Sequence, residues 1–132
     1  MITFWSYGTG HGQLEVDVEL IFPLAHRFYD PADISKELRN LTGEYDTVTD
    51  SVMGQPGAVD YLEATVDAVR NFAFRYPVAS GNFAWSCRGG RHRSVVFAIQ
   101  AAKLHIARYG GPLEVIHRDI RKPILSSRSE VS

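Results

Sequence analysis

Sulfur and long apolar runs are what this sequence has least of. One cysteine, Cys87, stands among 132 residues, so no disulfide can close within the chain, and a reducing, cytosolic setting is expected. No apolar run nears the roughly 20 residues a membrane-spanning helix needs, so no membrane partner is expected. The opening MITFWSYG lacks the basic segment and apolar stretch of a secretory leader. Repeats and low-complexity tracts are missing. So is any G-x-x-x-x-G-K-[ST] phosphate loop, and ATP is therefore not an expected ligand of these residues. His11, His92 and His117 lack metal-ligand spacing, and one cysteine is too few for a structural zinc site. Neither a metal nor a cofactor is expected.

Lysine is also scarce, three residues against eleven arginines. Arginine is the side chain that grips phosphate with two parallel bonds. The net charge of −1 argues against a generic nucleic-acid binder, but the charge is unevenly placed. Residues 1–87 carry five basic and twelve acidic side chains, whereas residues 88–132 carry nine basic and three acidic. A molecule so polarised can offer its C-terminal third to an anion.

The length fits one domain, which buries roughly two thirds of the surface of its unfolded chain. ITFWSY reads as a strand ending at Gly8, followed by the glycine loop TGHGQ. LEVDVELIF alternates, with Leu14, Val16, Val18 and Leu20 on one face, and predicts a second strand over 14–22. The two prolines of PLAHRFYDPADIS predict a loop, after which Asp33 or Ser35 caps a short helix through KELRNL. Val59, Leu62, Val66, Val69 and Phe72 fall at helical spacing over 57–74, with Pro77 beyond the end. NFAWSC follows the turn ASGN as an apolar strand. Arg91 to Tyr109 is a helix apolar around most of its circumference, closed by Gly110 and Gly111, and LEVIHR is a last strand. The order β-β-α-α-β-α-β predicts an α/β domain over residues 1–125, a small, mostly parallel sheet with helices packed on it, and a flexible polar tail at 126–132. Trp5, Phe4 and Trp85 are expected in its core.

Ligands of such sheets collect at the carboxyl ends of the strands, and SCRGGRHRS (residues 86–94) lies there. Gly89 and Gly90 can turn backbone N–H groups inward, and a helix starting near His92 adds its unpaired N–H groups. Arg93 can fork across two phosphate oxygens, Ser94 can donate a hydroxyl bond, and Arg88 and Arg91 raise the local potential.

The spacing C-x5-R-S resembles the phosphate loop of tyrosine-phosphatase-like enzymes, whose cysteine is a thiolate nucleophile. Cys87-Arg88-Gly89-Gly90-Arg91-His92-Arg93-Ser94 is also similar to the C-T-G-G-K-H-R-S of the C-terminal domain of the RapZ family of RNase adapter proteins. Three further stretches carry that second resemblance. SYG at 6–8 resembles S-[FY]-G, DVELIFPLAHRFYDP resembles D-V-R-F-x-P-N-P-H-W-D-P, and IHRDIRKP at 116–123 resembles H-R-x-x-x-K-R-K-P. The likeness runs from residue 2 to about 123, without the family's Walker-type ATP-binding half. It implies a module that binds glucosamine-6-phosphate and small regulatory RNA, with an endoribonuclease or regulatory protein and a second copy of the chain as further partners. Its implied ligand set is residues 87–94 with Asp17 and His26, and Arg118, Arg121 and Lys122 form a basic cluster for RNA. Two positions depart from the pattern: Arg88 stands for a threonine, and Glu19 for an arginine.

Three functions follow. One is a non-catalytic phosphosugar sensor and RNA-binding adapter. Another is a phosphatase with Cys87 as nucleophile and Asp30 or Asp46 as general acid. The third is a protein-interaction module that has lost the ligand. With no placed acid evident in the sequence, the first is preferred and no catalytic residue is assigned.

Overall fold

The computed structural model describes residues 1–75 and 81–125. Within these residues four strands, β1 (Ile2–Gly8), β2 (Leu20–Pro23), β3 (Gly81–Cys87) and β4 (Leu113–His117), form one sheet in the order β2-β3-β1-β4, with every pairing parallel. The register sets Phe4 beside Phe83 and Val115, and Ser6 beside Trp85 and His117, so these residues share one face. On that face Phe4, Phe83 and Trp85 are fully buried. Phe4 and Trp85 meet with ring centroids 4.8 Å apart. Each buried aromatic of this kind contributes about 2 to 3 kcal/mol.

Among the described residues five α-helices lie between the strands: α1 (Pro31–Ile34), α2 (Lys36–Arg39), α3 (Asp46–Met53), α4 (Ala58–Arg75) and α5 (Arg93–Tyr109). Asp30 caps α1 by accepting the Ala32 N–H, and Ser35 caps α2 by accepting the Leu38 N–H. Of the two expected caps, Ser35 is the one used. α5 packs on β1, β3 and β4 and also against α4. Its residues Val95, Val96, Phe97, Ala98, Ala101 and Ala102 are buried, as an apolar circumference requires.

Trp5, expected in the core beside Phe4 and Trp85, is only half-buried and donates its Nε1–H to Asn82 Oδ1, and three further details differ from the sequence pattern. The second strand is short. Residues 14–19 form no ladder, Val16 is 38% exposed, and Leu14 and Val18 are only half-buried. Alternation makes a strand only where a neighbour offers a ladder, and β3 offers one only to residues 20–23. The stretch before them is instead tied by single bonds, from Glu19 N–H to Asn82 O and from Asn82 Nδ2 to Asp17 O. On α4 the inward stripe is Ala58, Leu62, Val66 and Val69, spaced by four, four and three, so Val59 falls outside it and is 51% exposed. Helix α3, which buries Val48 and Val52, carries no clear signal in its sequence. Pro77, the first two residues of the ASGN turn and the tail from Ser126 lie outside the described residues.

Candidate functional site

The tip of β3 delivers Cys87, and α5 begins six residues later. The chain between them is fixed from three sides. Gly10 N–H donates to Arg88 O at 2.9 Å, and Gly43 N–H donates to Arg91 O at 2.8 Å. Asp119 holds the third side from beneath the β1 tip, accepting Gly8 N–H at 2.7 Å. Gly90 sits at φ +75, and a Cβ there would lie 2.5 Å from Gly8 N and 2.8 Å from Asp119 Cβ. Only glycine fits that position.

Asp119 is fully buried, and its charge is heavily compensated. Arg118 donates to both of its oxygens at 2.8 Å, and Lys122 Nζ lies 2.7 Å from Oδ1. Burial alone would push this carboxyl up. The bonds from Arg118, Lys122 and the Gly8 N–H outweigh burial and hold it at about 2. The Arg118 guanidinium also binds the carbonyls of Gly8, Gly12 and Gln13 and lies over the Tyr7 ring.

Two hollows flank the loop and share Asp30 and Asp33 as a common wall. The first, about 210 Å³, is lined by Arg39, Arg88, Gly89, Arg91 and His92, with Ile124 and Leu125 from the C-terminal segment. The second, about 470 Å³, is lined by His26, Arg27, Arg93, Phe28, Tyr29 and Gln55. Asp30 reaches across the wall: Oδ1 lies 3.1 Å from His92 Nδ1, and Oδ2 lies 3.6 Å from Arg93 Nη2. His92 Nε2 meets Leu41 O at 2.7 Å. Burial works to raise the Asp30 carboxyl. Hydrogen bonds from His92 and the Ala32 N–H, with the nearby Arg93, outweigh it and keep the group below its ordinary value.

Arg93 is 1% exposed. Its Nη1 donates to Phe28 O at 2.9 Å and to Ala25 O at 3.2 Å. Its Nε and Nη2 are buried and find no hydrogen-bond acceptor among the described residues. Nη2 has only the longer ionic contact to Asp30.

The expected ligand residues therefore separate. Arg88, Gly89, Arg91 and His92 line the first hollow, and His26 and Arg93 line the second. Cys87, Gly90 and Ser94 lie buried below the loop. There Cys87 Sγ accepts the Gly90 N–H at 3.3 Å and donates to Ser94 Oγ at 3.2 Å, so that backbone N–H is already taken. Asp17 is not brought to the loop. With no ladder through 14–19 it stays exposed, and its carbonyl serves Asn82. In the basic cluster, Arg118 and Lys122 are held by Asp119, and Arg121 is exposed without such a tie. Arg39, Arg27, Asp33 and Gln55 join the site through the fold alone; of the two candidate acids, Asp30, two residues past Arg93's backbone partner Phe28, reaches the site, whereas Asp46 opens α3 and lines neither hollow.

The chain has extended relatives. It is 35% identical over 127 residues to a nucleotide-binding protein of Mycobacterium leprae, covering 90% of this chain and 40% of the relative. It is 35% identical over 118 residues to a nucleotide-binding protein of Thermobifida fusca, covering 87% of this chain and 39% of the relative. A nucleotide-binding protein of Mycobacterium avium is 33% identical over 129 residues, 90% of this chain and 41% of its own. The chain thus spans about 40% of the length of these relatives. The sequence profile of one family, the RapZ C-terminal domain, matches residues 1–121. That match takes in β1, the loop between Cys87 and α5, and the Asp119 anchor beneath it: the chain belongs to the RapZ C-terminal domain family.

Proposed function

We propose that this chain is a non-catalytic sensor domain that binds a small phosphorylated molecule, of the phosphorylated amino-sugar class, beside Arg93. One observation carries the reading. A fully buried guanidinium with two nitrogens short of acceptors is costly unless something supplies oxygens to it, and Arg93 lines a hollow large enough to admit that something. Arg27 adds positive charge on the same wall, His26 adds ring nitrogens that can hydrogen-bond, and the Asp33 carboxylate gives an ammonium or hydroxyl group an acceptor. Family membership supports the same ligand class. Binding of ATP is not part of the proposal, since the chain has no Walker-type loop.

The phosphatase alternative is disfavoured by geometry. Cys87 is 2% exposed and lines neither hollow, and Asp30 is held ionised where a general acid must carry a proton. Thermal melting with and without a hexosamine phosphate tests the proposal. Wild type should melt higher with ligand, and Arg93→Ala should lose that rise. Arg93→Lys, which keeps the charge and loses the fork, covers the case in which the alanine variant fails to fold. A wild-type response in either variant places the ligand elsewhere. Cys87→Ser should bind within a few-fold of wild type, and wild type should release no phosphate from aryl phosphates.

RNA is the second proposed ligand, held mainly by charge. The logarithm of its affinity should then fall steeply with the logarithm of salt concentration. Because Arg121 is the exposed member of the cluster, Arg121→Glu should weaken binding while leaving the melting temperature unchanged. A flat salt dependence would remove RNA from the proposal.

A further inference from the structure

The sheet has two faces, and the helices that pack on it take one of them. Phe4, Phe83, Trp85 and Val115 point towards α5, and α4 reaches the same side through Phe72 against Phe83 and Thr65 against Trp85. The register puts Thr3, Trp5, Ala84, Ile21, Glu114 and Ile116 on the other face, and none of the apolar side chains among them belongs to the core cluster on the helix side. The segment between β1 and β2 crosses that second face. Asp17 O accepts from Asn82 Nδ2, Asn82 Oδ1 accepts from Trp5 Nε1–H, and Arg118 binds the Gln13 carbonyl. Ala84 and Tyr7 are buried there, but Trp5 and Ile116 are only half-buried, and Val16 and Ile21 are 38% and 49% exposed. Wholly parallel sheets are nearly always covered on both faces. Here the second face carries no helix among the described residues.

We propose that this face is a docking surface for a basic amphipathic helix of a partner protein. Charge says what kind of segment fits. The four strands and the segment from Thr9 to Glu19 carry Glu15, Asp17, Glu19 and Glu114, all exposed, and no lysine or arginine. Arg118, which reaches Glu15 from beyond β4, is already engaged by Asp119 and by loop carbonyls. An apolar centre with a charged rim is the anatomy of a protein interface, and these carboxylates repel both nucleic acid and an anionic membrane. Shape says how much fits. Ile21, Ala84, Trp5 and Ile116 stand in one row across all four strands. Three strand spacings make the row about 14 Å wide. A helix with its side chains is about 10 to 12 Å across, so one helix covers most of it. Its apolar stripe rests on Trp5, Val16, Ile21 and Ile116, and its lysines or arginines meet the four carboxylates. None of these residues lines either hollow, so the surface is independent of the proposed ligand site.

NMR titration with a synthetic leucine–lysine amphipathic helix of about five turns tests it. A leucine–glutamate helix of the same length and the polycation spermine serve as controls. The two indoles supply the readout, because Trp5 Nε1–H lies on the open face and Trp85 Nε1–H donates to Thr65 Oγ1 on the helix side. The leucine–lysine helix should shift the Trp5 indole signal and the amides of Val16 and Ile21, and leave the Trp85 indole unmoved. Asp17→Lys/Glu19→Lys/Glu114→Lys, all at exposed positions, should weaken its binding at least ten-fold. Val16→Ser/Ile21→Ser keeps every charge and should weaken it several-fold. Melting temperatures verify that both variants fold. Equal binding by wild type and the charge variant, or shifts at Trp85 in place of Trp5, overturns the proposal. Equal shifts with spermine, which has no apolar stripe, or with the leucine–glutamate helix overturn it too. A wild type that sediments as a dimer without peptide, and as a monomer once Val16 and Ile21 are changed, gives the face to a second copy and overturns the partner helix.

Discussion

Asp119 shows how one residue governs the site without touching either hollow. Its carboxylate holds the β1 tip through Gly8, and it holds Arg118, which in turn binds three carbonyls of the 8–13 loop. Removing one member of a buried ion cluster leaves the others uncompensated, which typically costs about 3 to 5 kcal/mol. Asp119→Ala should therefore lower the unfolding free energy by about 3 kcal/mol, as read from urea midpoints. The acid response follows from its low folded value. An unfolded aspartate titrates near 3.9, so its contribution of about 2 kcal/mol is complete above that pH and is lost as pH falls towards about 2. Asp119→Asn should flatten stability over this window, and an unchanged acid limb would refute the assignment. The same ties explain why Arg118 and Lys122 looked available in sequence: IHRDIRKP is a run of cations, and nothing in the run says that its one acid is buried against Gly8.

At the scale of elements, the loop between β3 and α5 was legible because its signals are local. An apolar strand, a glycine pair and an alanine-rich helix are each set by neighbours in the chain. Ser35 as a cap and the inward faces of α5 were legible for the same reason. What escaped depended on distant partners. Residues 14–19 alternate like a strand, but β3 supplies a ladder only from Leu20 onward. Val48 and Val52 give α3 one turn of apolar spacing, too short a pattern to read, and its inner face exists only because α5, α4 and α1 pack against it. The meeting of Arg39 with Arg88 crosses about fifty residues and leaves no trace in local pattern. The two loop glycines separate local from tertiary demand in a measurable way. Gly90→Ala meets a positive φ and backbone 2.5 Å away, and should cost more than about 2 kcal/mol and weaken phosphate binding. Gly89→Ala meets nothing within 4 Å and should stay within about 0.5 kcal/mol of wild type. Equal losses at both positions would contradict the loop geometry.

For the whole molecule, two histidines set the response to mild acid. His105 is buried on α5 against Phe4 and Tyr109, and both of its ring nitrogens lack hydrogen-bond partners among the described residues. Burial, and then the Arg70 charge, keep it below the ordinary value. His117 is lowered by burial too, although Glu44 opposes the shift. Unfolded rings protonate near 6.5 while these folded rings resist, so stability is full above that pH and declines as pH falls below it. Denaturant midpoints should drop between pH 7.5 and 5.5, and His105→Leu should shrink the drop. The parallel sheet itself was readable from the alternation of strand and helix patterns along the chain. The division of the face around the β3–α5 loop into two hollows was not, because the wall is Asp30, which reaches His92 and Arg93 from a loop some sixty residues earlier.

The bond from Gly8 to Asp119 spans 111 positions. Closing so long a loop is among the slower steps available to a chain, and here the closing residue is made 111 positions after its partner. A ribosome extending this protein therefore exposes β1, then the helices, then the Cys87–Ser94 run, all before the piece that fixes the run's shape has emerged. The run cannot take its final shape until residue 119 has joined it. A nascent chain arrested before residue 119 should ignore phosphate altogether, and the same chain released a few residues later should respond.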